Sequence, residues 1–322
     1  MATVYHRDQA GAPLPSYSSS SGSISHFDSL KTVLKGCLVS GYGSQPAAGW
    51  ELISEGTSYI VLRNGTRTGY LGLSYSSGTV TVHVSETFMG VASNILQGDG
   101  LRTGVASNNS VPHRFGIGFF AYSSDSSAWM VVADERTFCI NAVTNNTAGP
   151  WVPDAAAAGM LNVLFYAGED SSGNFIAVGG TSMTSATLSN QRNRFSVAGF
   201  TSLRDPSTGL LVDTGELSAH AHGLIDAGRV GSPVLLVPSV DLLRVYWHGA
   251  GAFSGYLRGI VVPGMLSRYL PGVVASTLGF VGPFNSRTAN TALDLGDGFR
   301  YFVPVYFPES TMVLMTNNPE FW

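Results

Sequence analysis

The sequence predicts a mainly β protein, with an N-terminal α+β part carrying one short helix and a C-terminal β-sandwich or barrel. Three observations lead there. Short apolar-alternating runs recur along the chain, separated by turns that use many of its 39 glycines. No helical runs alternate with them, which argues against a parallel sheet. A single segment near the beginning has the apolar spacing of a helix, and Asn64-Gly65, the strongest short turn signal, stands between two alternating runs. The expected regions are an extended arm over 1–22, an α+β domain over 23–148 and a β-sandwich or barrel domain over 149–322.

The first of these regions contains Gly11, Pro13 and Pro15, then Ser16 and Ser18 to Ser21 around Tyr17. It has the composition of an extended arm, ordered where contacts with a neighbour offset its entropy. The helix follows. Ser25 stands at the expected N-cap with Asp28 three residues on, and Phe27, Leu30, Val33, Leu34, Cys37 and Leu38 mark one buried face. Lys31 and Lys35 are expected on the opposite face. Gly41-Tyr42-Gly43 and Pro46 then break the helix, because glycine adopts left-handed backbone and proline cannot extend a helix. Trp50 closes this corner as a plug between helix and sheet, with one indole N–H to satisfy. A phosphate loop is the sharper reading of the glycines, but they do not have the spacing G-x-G-x-x-G and no βαβ unit surrounds them.

From Thr57 the period is two. Runs at 59–62 and 68–75 form a hairpin through Asn64-Gly65, and Val80, Val82 and Val84 alternate with Thr79, Thr81 and His83 on a further strand. That alternation sends His83 to solvent or a neighbour. Residues 97–112 read as a long Gly-Ser-Asn loop, 114–122 and 128–132 as strands, and Asp134-Glu135 as a charged turn into 136–143, with Arg136 placed to pair with Asp134 or Glu135. The segment 145–153, with Gly149-Pro150 and Pro153, is the expected boundary between domains. Beyond it, strands are expected at 161–166, 175–178, 194–200, 234–237, 242–247, 256–262, 300–307 and 312–315, with a polar turn at 168–174.

Composition points to a covered surface. The chain is 44% hydrophobic and 12% charged, against about 25% charged in ordinary soluble domains. Such a small, neutral surface suits a subunit inside a large assembly. Lys31 and Lys35 are the only lysines; arginine's planar fork suits interface pairs better than lysine does. A net charge of −4 and dispersed arginines argue against nucleic-acid binding. The beginning of the chain lacks the charged and apolar regions of a signal peptide, and the longest apolar stretch, 155–167, is too short for a membrane span. Cys37 and Cys139 are expected as free buried thiols, with a single disulfide as the alternative.

Chemistry has few candidates. His220-Ala221-His222 has ligand spacing on a strand but no third ligand beside it. Asp134 and Glu135 beside Arg136 resemble an acid and base, yet adjacent strand residues face opposite ways. No G-x-S-x-G, H-E-x-x-H, P-loop or C-x-x-C is present. We therefore expect no catalytic residues, no metal and no cofactor. The aromatic pair Phe321-Trp322 is expected to tuck into a core or a neighbouring subunit.

Gly11-Ala12-Pro13, the Leu- and Cys-containing helix over 30–39, Gly41-Tyr42-Gly43 and Ala47-Ala48-Gly49-Trp50 stand in that order. With Ala128-Trp129-Met130-Val131-Val132-Ala133-Asp134-Glu135-Arg136-Thr137-Phe138, and more loosely Leu257-Arg258-Gly259-Ile260-Val261-Val262-Pro263 followed by Leu270-Pro271-Gly272, the chain resembles uncharacterised virion structural proteins of tailed bacteriophages. The resemblance implies a non-enzymatic virion subunit made in the host cytoplasm, in the tail or the head-to-tail neck. Its partners would be other copies of itself and other virion proteins, with no nucleic acid and no membrane. The expected interface residues are Pro13, Tyr17, Trp50, Arg136, Phe321 and Trp322. A capsid decoration protein is one alternative. A receptor-binding tail fibre or tip module using Tyr246, Trp247 and Tyr256 is another, although no coiled coil or trimeric repeat is visible. A glycan hydrolase would need a carboxylate pair in a cleft.

Overall fold

The computed structural model describes residues 1–14, 24–76, 79–103, 114–116, 127–144, 161–179, 201–202, 217–220, 240–247, 253–263, 292–293, 298–302 and 314–322. The protein is mainly β, with antiparallel sheets and, among the described residues, one short α-helix. The strands expected at 194–200 and 234–237 lie outside the described residues, as does the segment 145–153.

Helix α1 spans Ile24–Leu34 and continues as a π-helical turn over Lys35–Ser40. The expected face is buried throughout: Phe27, Leu30, Val33, Leu34, Cys37 and Leu38. Because α1 already includes Ile24, Ser25 lies inside the first turn and is not the N-cap. The wide final turn presents its last carbonyls to the chain that follows. Cys37 O accepts from Ala48 N at 3.0 Å, and Leu38 O from Gly49 N and Trp50 N at 3.1 and 2.9 Å. The Ala47–Trp50 segment thus satisfies the orphan carbonyls that any helix end leaves. Gly41 and Gly43 stand at φ 71° and 54°. A Cβ on Gly43 would come within 2.1 Å of Ala10 O, so the corner requires glycine there on steric as well as conformational grounds.

Lys31 departs from expectation. Its side chain is buried, Nζ lies 5.3 Å from the centre of the Phe27 ring, and the same nitrogen donates to Gly56 O at 3.0 Å and Thr57 O at 3.3 Å while pairing with Asp28 at 2.9 Å. A long apolar stem lets a lysine cover the core while its head caps a strand end.

The helix-side sheet is an antiparallel run of Glu51–Gly56, Tyr59–Arg63, Tyr70–Ser76 and Thr79–Ser85. Arg102–Thr103 and Arg114–Gly116 both pair with the last of these. The hairpin at Asn64-Gly65 is present, but not as a two-residue turn: Arg63 pairs with Tyr70, and the residues between form a longer loop. The buried Asn64 side chain organises that loop, accepting from Thr68 N at 3.0 Å and donating to Thr66 and Thr68 Oγ1, each at 2.8 Å.

His83 is a second correction. It is 1% exposed, with Ser74 Oγ 2.8 Å from Nε2. A small hairpin, Gly90–Ala92 with Ile95–Gln97, accounts for this, because Leu96 packs against the position a Gly72 side chain would fill, beside His83. Burial lowers the His83 pKa to about 4. An unfolded histidine takes up its proton near pH 6.5. Between those values the unfolded chain binds protons that the folded chain does not, so stability falls as the pH falls. The loss is on the order of 3 kcal/mol across that window. His83→Gln is expected to flatten this part of the stability curve, read as urea midpoints from about pH 7 to pH 4.5. A wild-type curve as flat as the variant's would refute a buried neutral His83.

The central sheet orders Thr3–His6, Ser127–Ala133, Thr137–Thr144, Leu161–Glu169, Phe175–Gly179 and Thr201–Ser202, all antiparallel. This overturns two expected boundaries. The division at 148/149 falls between two strands of one sheet, paired from Thr137↔Gly168 to Thr144↔Leu161. Residues 1–14 of the expected arm are also packed, since Thr3–His6 pairs with the edge strand, Tyr5 is fully buried and Trp129 Nε1 donates to Pro13 O at 3.2 Å. The buried tyrosine and the strand pairing offset the ordering entropy within the chain itself.

One face of the central sheet, with Trp129, Val131, Phe138, Ile140, Phe165 and Phe175, shares a core with α1 and with Ile60, Leu62, Leu71, Val82 and Val84 of the helix-side sheet. Its other face carries Met130, Val132, Cys139, Tyr166 and Ile176, also buried. The third sheet orders Leu217–His220, Val240–Trp247, Phe253–Pro263, Leu314–Thr316, Tyr301–Phe302 and Ala292–Leu293.

Candidate functional site: an ion-pair junction where three sheets meet

The polar centre is built on the turn Asp134–Arg136, between two strands of the central sheet. Asp134 Oδ1 accepts from Arg136 N and Thr137 N, both at 2.9 Å, which makes the turn a closed local unit. Its carboxylate then meets the third sheet. Arg258 donates from Nη2 to Asp134 Oδ2 at 2.8 Å and from Nη1 to Oδ1 at 3.3 Å, a two-pronged pair with the arginine 5% exposed. The Arg258 backbone N–H donates to Tyr166 Oη at 3.2 Å, and that hydroxyl donates to Glu169 O at 2.6 Å. Burial pushes the Tyr166 phenol well above its ordinary pKa.

Glu169, 2% exposed, ties in the helix-side sheet. It accepts from the hydroxyls of Thr66 and Thr68, which themselves accept from Asn64 Nδ2, and its other oxygen receives Arg136 Nε at 2.6 Å. Burial alone would raise the Glu169 pKa; the hydrogen bonds from Thr66, Thr68 and Arg136 outweigh it and hold the carboxyl below its usual range. Ser171 N donates to Tyr256 O, and Tyr256 N to Ser171 Oγ, each at 2.9 Å, joining the 170–174 turn to the third sheet.

The expected interface residues fall as follows. Trp50 is 3% exposed and belongs to the core of this chain, because Nε1 donates to Asp134 O at 3.0 Å and the ring packs edge-on to Phe138. Arg136 pairs with Glu169 and not with Asp134 or Glu135, since Asp134 is turned toward Arg258 and Glu135 is exposed. Pro13 packs on Gly36 and bonds Trp129. Trp322 docks on its own chain: Nε1 donates to Thr316 O at 2.7 Å, the indole covers Gly259, and the Arg258 guanidinium lies 5.6 Å from its ring. Phe321 beside it is half-buried. Tyr17 lies outside the described residues, as do His222 and the side chains of Tyr246 and Trp247; Tyr256 is half-buried.

Sequence reasoning missed Arg258, Glu169 and Asn64. Arg258 had a signal: a charged residue inside the apolar strand run from Leu257 to Val262 calls for a buried partner. The junction's charges are paired with each other, Arg136 with Glu169 and Arg258 with Asp134. Cys37 and Cys139 are free and buried. Among the described residues, no three His, Cys, Asp or Glu side chains cluster as metal ligands, and no helix is long and apolar enough to cross a membrane.

Fold and junction together define a class: an antiparallel β protein with a polar lock at its centre. No protein-family model, curated protein or solved structure matches this sequence.

Proposed function

We propose that this chain is a non-enzymatic structural subunit of a tailed-bacteriophage particle, in the tail or the head-to-tail neck, acting through contacts with copies of itself and with other virion proteins. One observation supports the reading most. The three segments that carry the resemblance to virion proteins lie far apart in sequence and converge on one residue. Trp50 of the first segment and Arg258 of the third both bond Asp134 of the second. Residues recurring together in such proteins would then be those that lock three sheets into one subunit. The scarcity of charge and the arginine-dominated basic set suit surfaces covered by neighbours. Head-to-tail contacts between identical copies close into a ring when the rotation allows it.

Mass spectrometry of gradient-purified particles is the test. This chain is expected among the particle proteins, in integer ratio to a tail or neck protein. Abundance in the infected lysate together with absence from purified particles would overturn the proposal.

A further inference from the structure

We infer that the segment Met1 to Leu14 is an exchangeable strand, and that the groove it fills on its own chain is a docking surface for the same segment of a second copy. This deepens the reading above by naming the contact between copies, and it rests on that reading.

Geometry carries the inference. The other strands of the central sheet follow one another in chain order, from Ser127–Ala133 to Thr201–Ser202, whereas Thr3–His6 is added at the edge from a distant part of the chain. Without it, Ser127–Ala133 would present an open ladder, the kind of edge that accepts a strand from another chain. The groove is shaped for this one segment. Tyr5 is fully buried, stands 5.9 Å from the Tyr42 ring and donates from its hydroxyl to Pro46 O at 2.8 Å. Tyr42 Oη donates to Gln9 Oε1 at 2.5 Å, Gly11 lies against Gly43 backbone to backbone, and Trp129 Nε1 donates to Pro13 O.

These contacts run from the segment to residues beyond position 35, and each would form identically if the segment came from a second copy. Exchange therefore changes no contact; it changes only which chain closes the loop. The connection to α1, Pro15-Ser16-Tyr17-Ser18-Ser19-Ser20-Ser21-Gly22-Ser23, has the composition of a linker. At full extension nine residues reach roughly 30 Å. Passing the strand always to the next copy gives a head-to-tail contact, the type that builds rings.

The test uses the register pair Thr3↔Ala133 as a disulfide trap. Full-length Thr3→Cys and Ala133→Cys chains, differently tagged, are co-expressed, oxidised and run on non-reducing gels. The expected result is a covalent heterodimer as a major species, reduced roughly tenfold when Tyr5→Ala is added to the Thr3→Cys chain, because that removes the buried anchor. A double Thr3→Cys/Ala133→Cys chain serves as control. Cross-linking of the double chain only within itself, with no heterodimer from the mixed pair, would overturn the inference, as would no cross-link in either. That failure would leave the presence of the chain in particles unaffected, so the two proposals fall separately.

Discussion

Replacing Arg258 by methionine is expected to lower the free energy of unfolding by about 3–5 kcal/mol. The substitution keeps much of the apolar stem but leaves the Asp134 carboxylate half-buried without its cation. Removing one member of a buried pair costs more than the pair was worth, because desolvation of the remaining charge is no longer offset. Thr137 Oγ1 also loses its contact with Nη1 at 3.2 Å. Asp134→Asn keeps an oxygen for the N–H groups of Arg136 and Thr137 while removing the charge. The double variant is therefore expected to recover at least about 1 kcal/mol relative to the sum of the two single changes. Urea unfolding of the four chains measures this coupling. A coupling energy below about 0.5 kcal/mol, within ordinary additivity error, would show that the two side chains do not meet.

Trp50→Ala is expected to destabilise the protein by about 3–5 kcal/mol, the range for truncating a buried aromatic. The lost ring packs 5.2 Å from Phe138 and 6.3 Å from Phe175, and its N–H satisfies Asp134 O. The cavity would open where helix end, central sheet and junction meet. Trp50→Phe is expected to lose less, since it retains part of the apolar contact while giving up the hydrogen bond. Denaturant melts followed by circular dichroism decide the matter. A change below about 1 kcal/mol for Trp50→Ala, well short of the buried-aromatic range, would mean that the ring is not part of this core.

The elements that could be read along the chain are those with a local period. The buried face of α1 was legible because Phe27, Leu30, Leu34, Cys37 and Leu38 recur at helical spacing, and all are buried. The strands Tyr59–Arg63 and Tyr70–Ser76 were legible from alternation and from the turn signal between them. Trp50 was legible as a plug because a large aromatic after a glycine-proline corner has few places to go but inward. Period, however, assigns a residue to a face and does not say what covers that face. His83 falls on the polar side of its strand by alternation, and only the hairpin around Leu96, folding back over Gly72, buries it. Lys31 falls on the polar side of α1, and only the strand end at Gly56 and Thr57 draws it in.

Charge pairing was the least legible. The Arg136 side chain has two carboxylates beside it in sequence and pairs instead with Glu169, 33 positions on. Asp134 pairs with Arg258, 124 positions away. The expected boundary at 148/149 failed for a related reason: proline and glycine mark where the chain leaves an element, but strand pairing decides whether the next element returns to the same sheet. Local backbone preference and side-chain periodicity act over a few residues and were set by the order of amino acids. The partners of Asp134, Glu169 and Tyr5 were set only when distant strands came within hydrogen-bonding range, because a buried charge or hydroxyl must be satisfied by whichever group the fold brings to it.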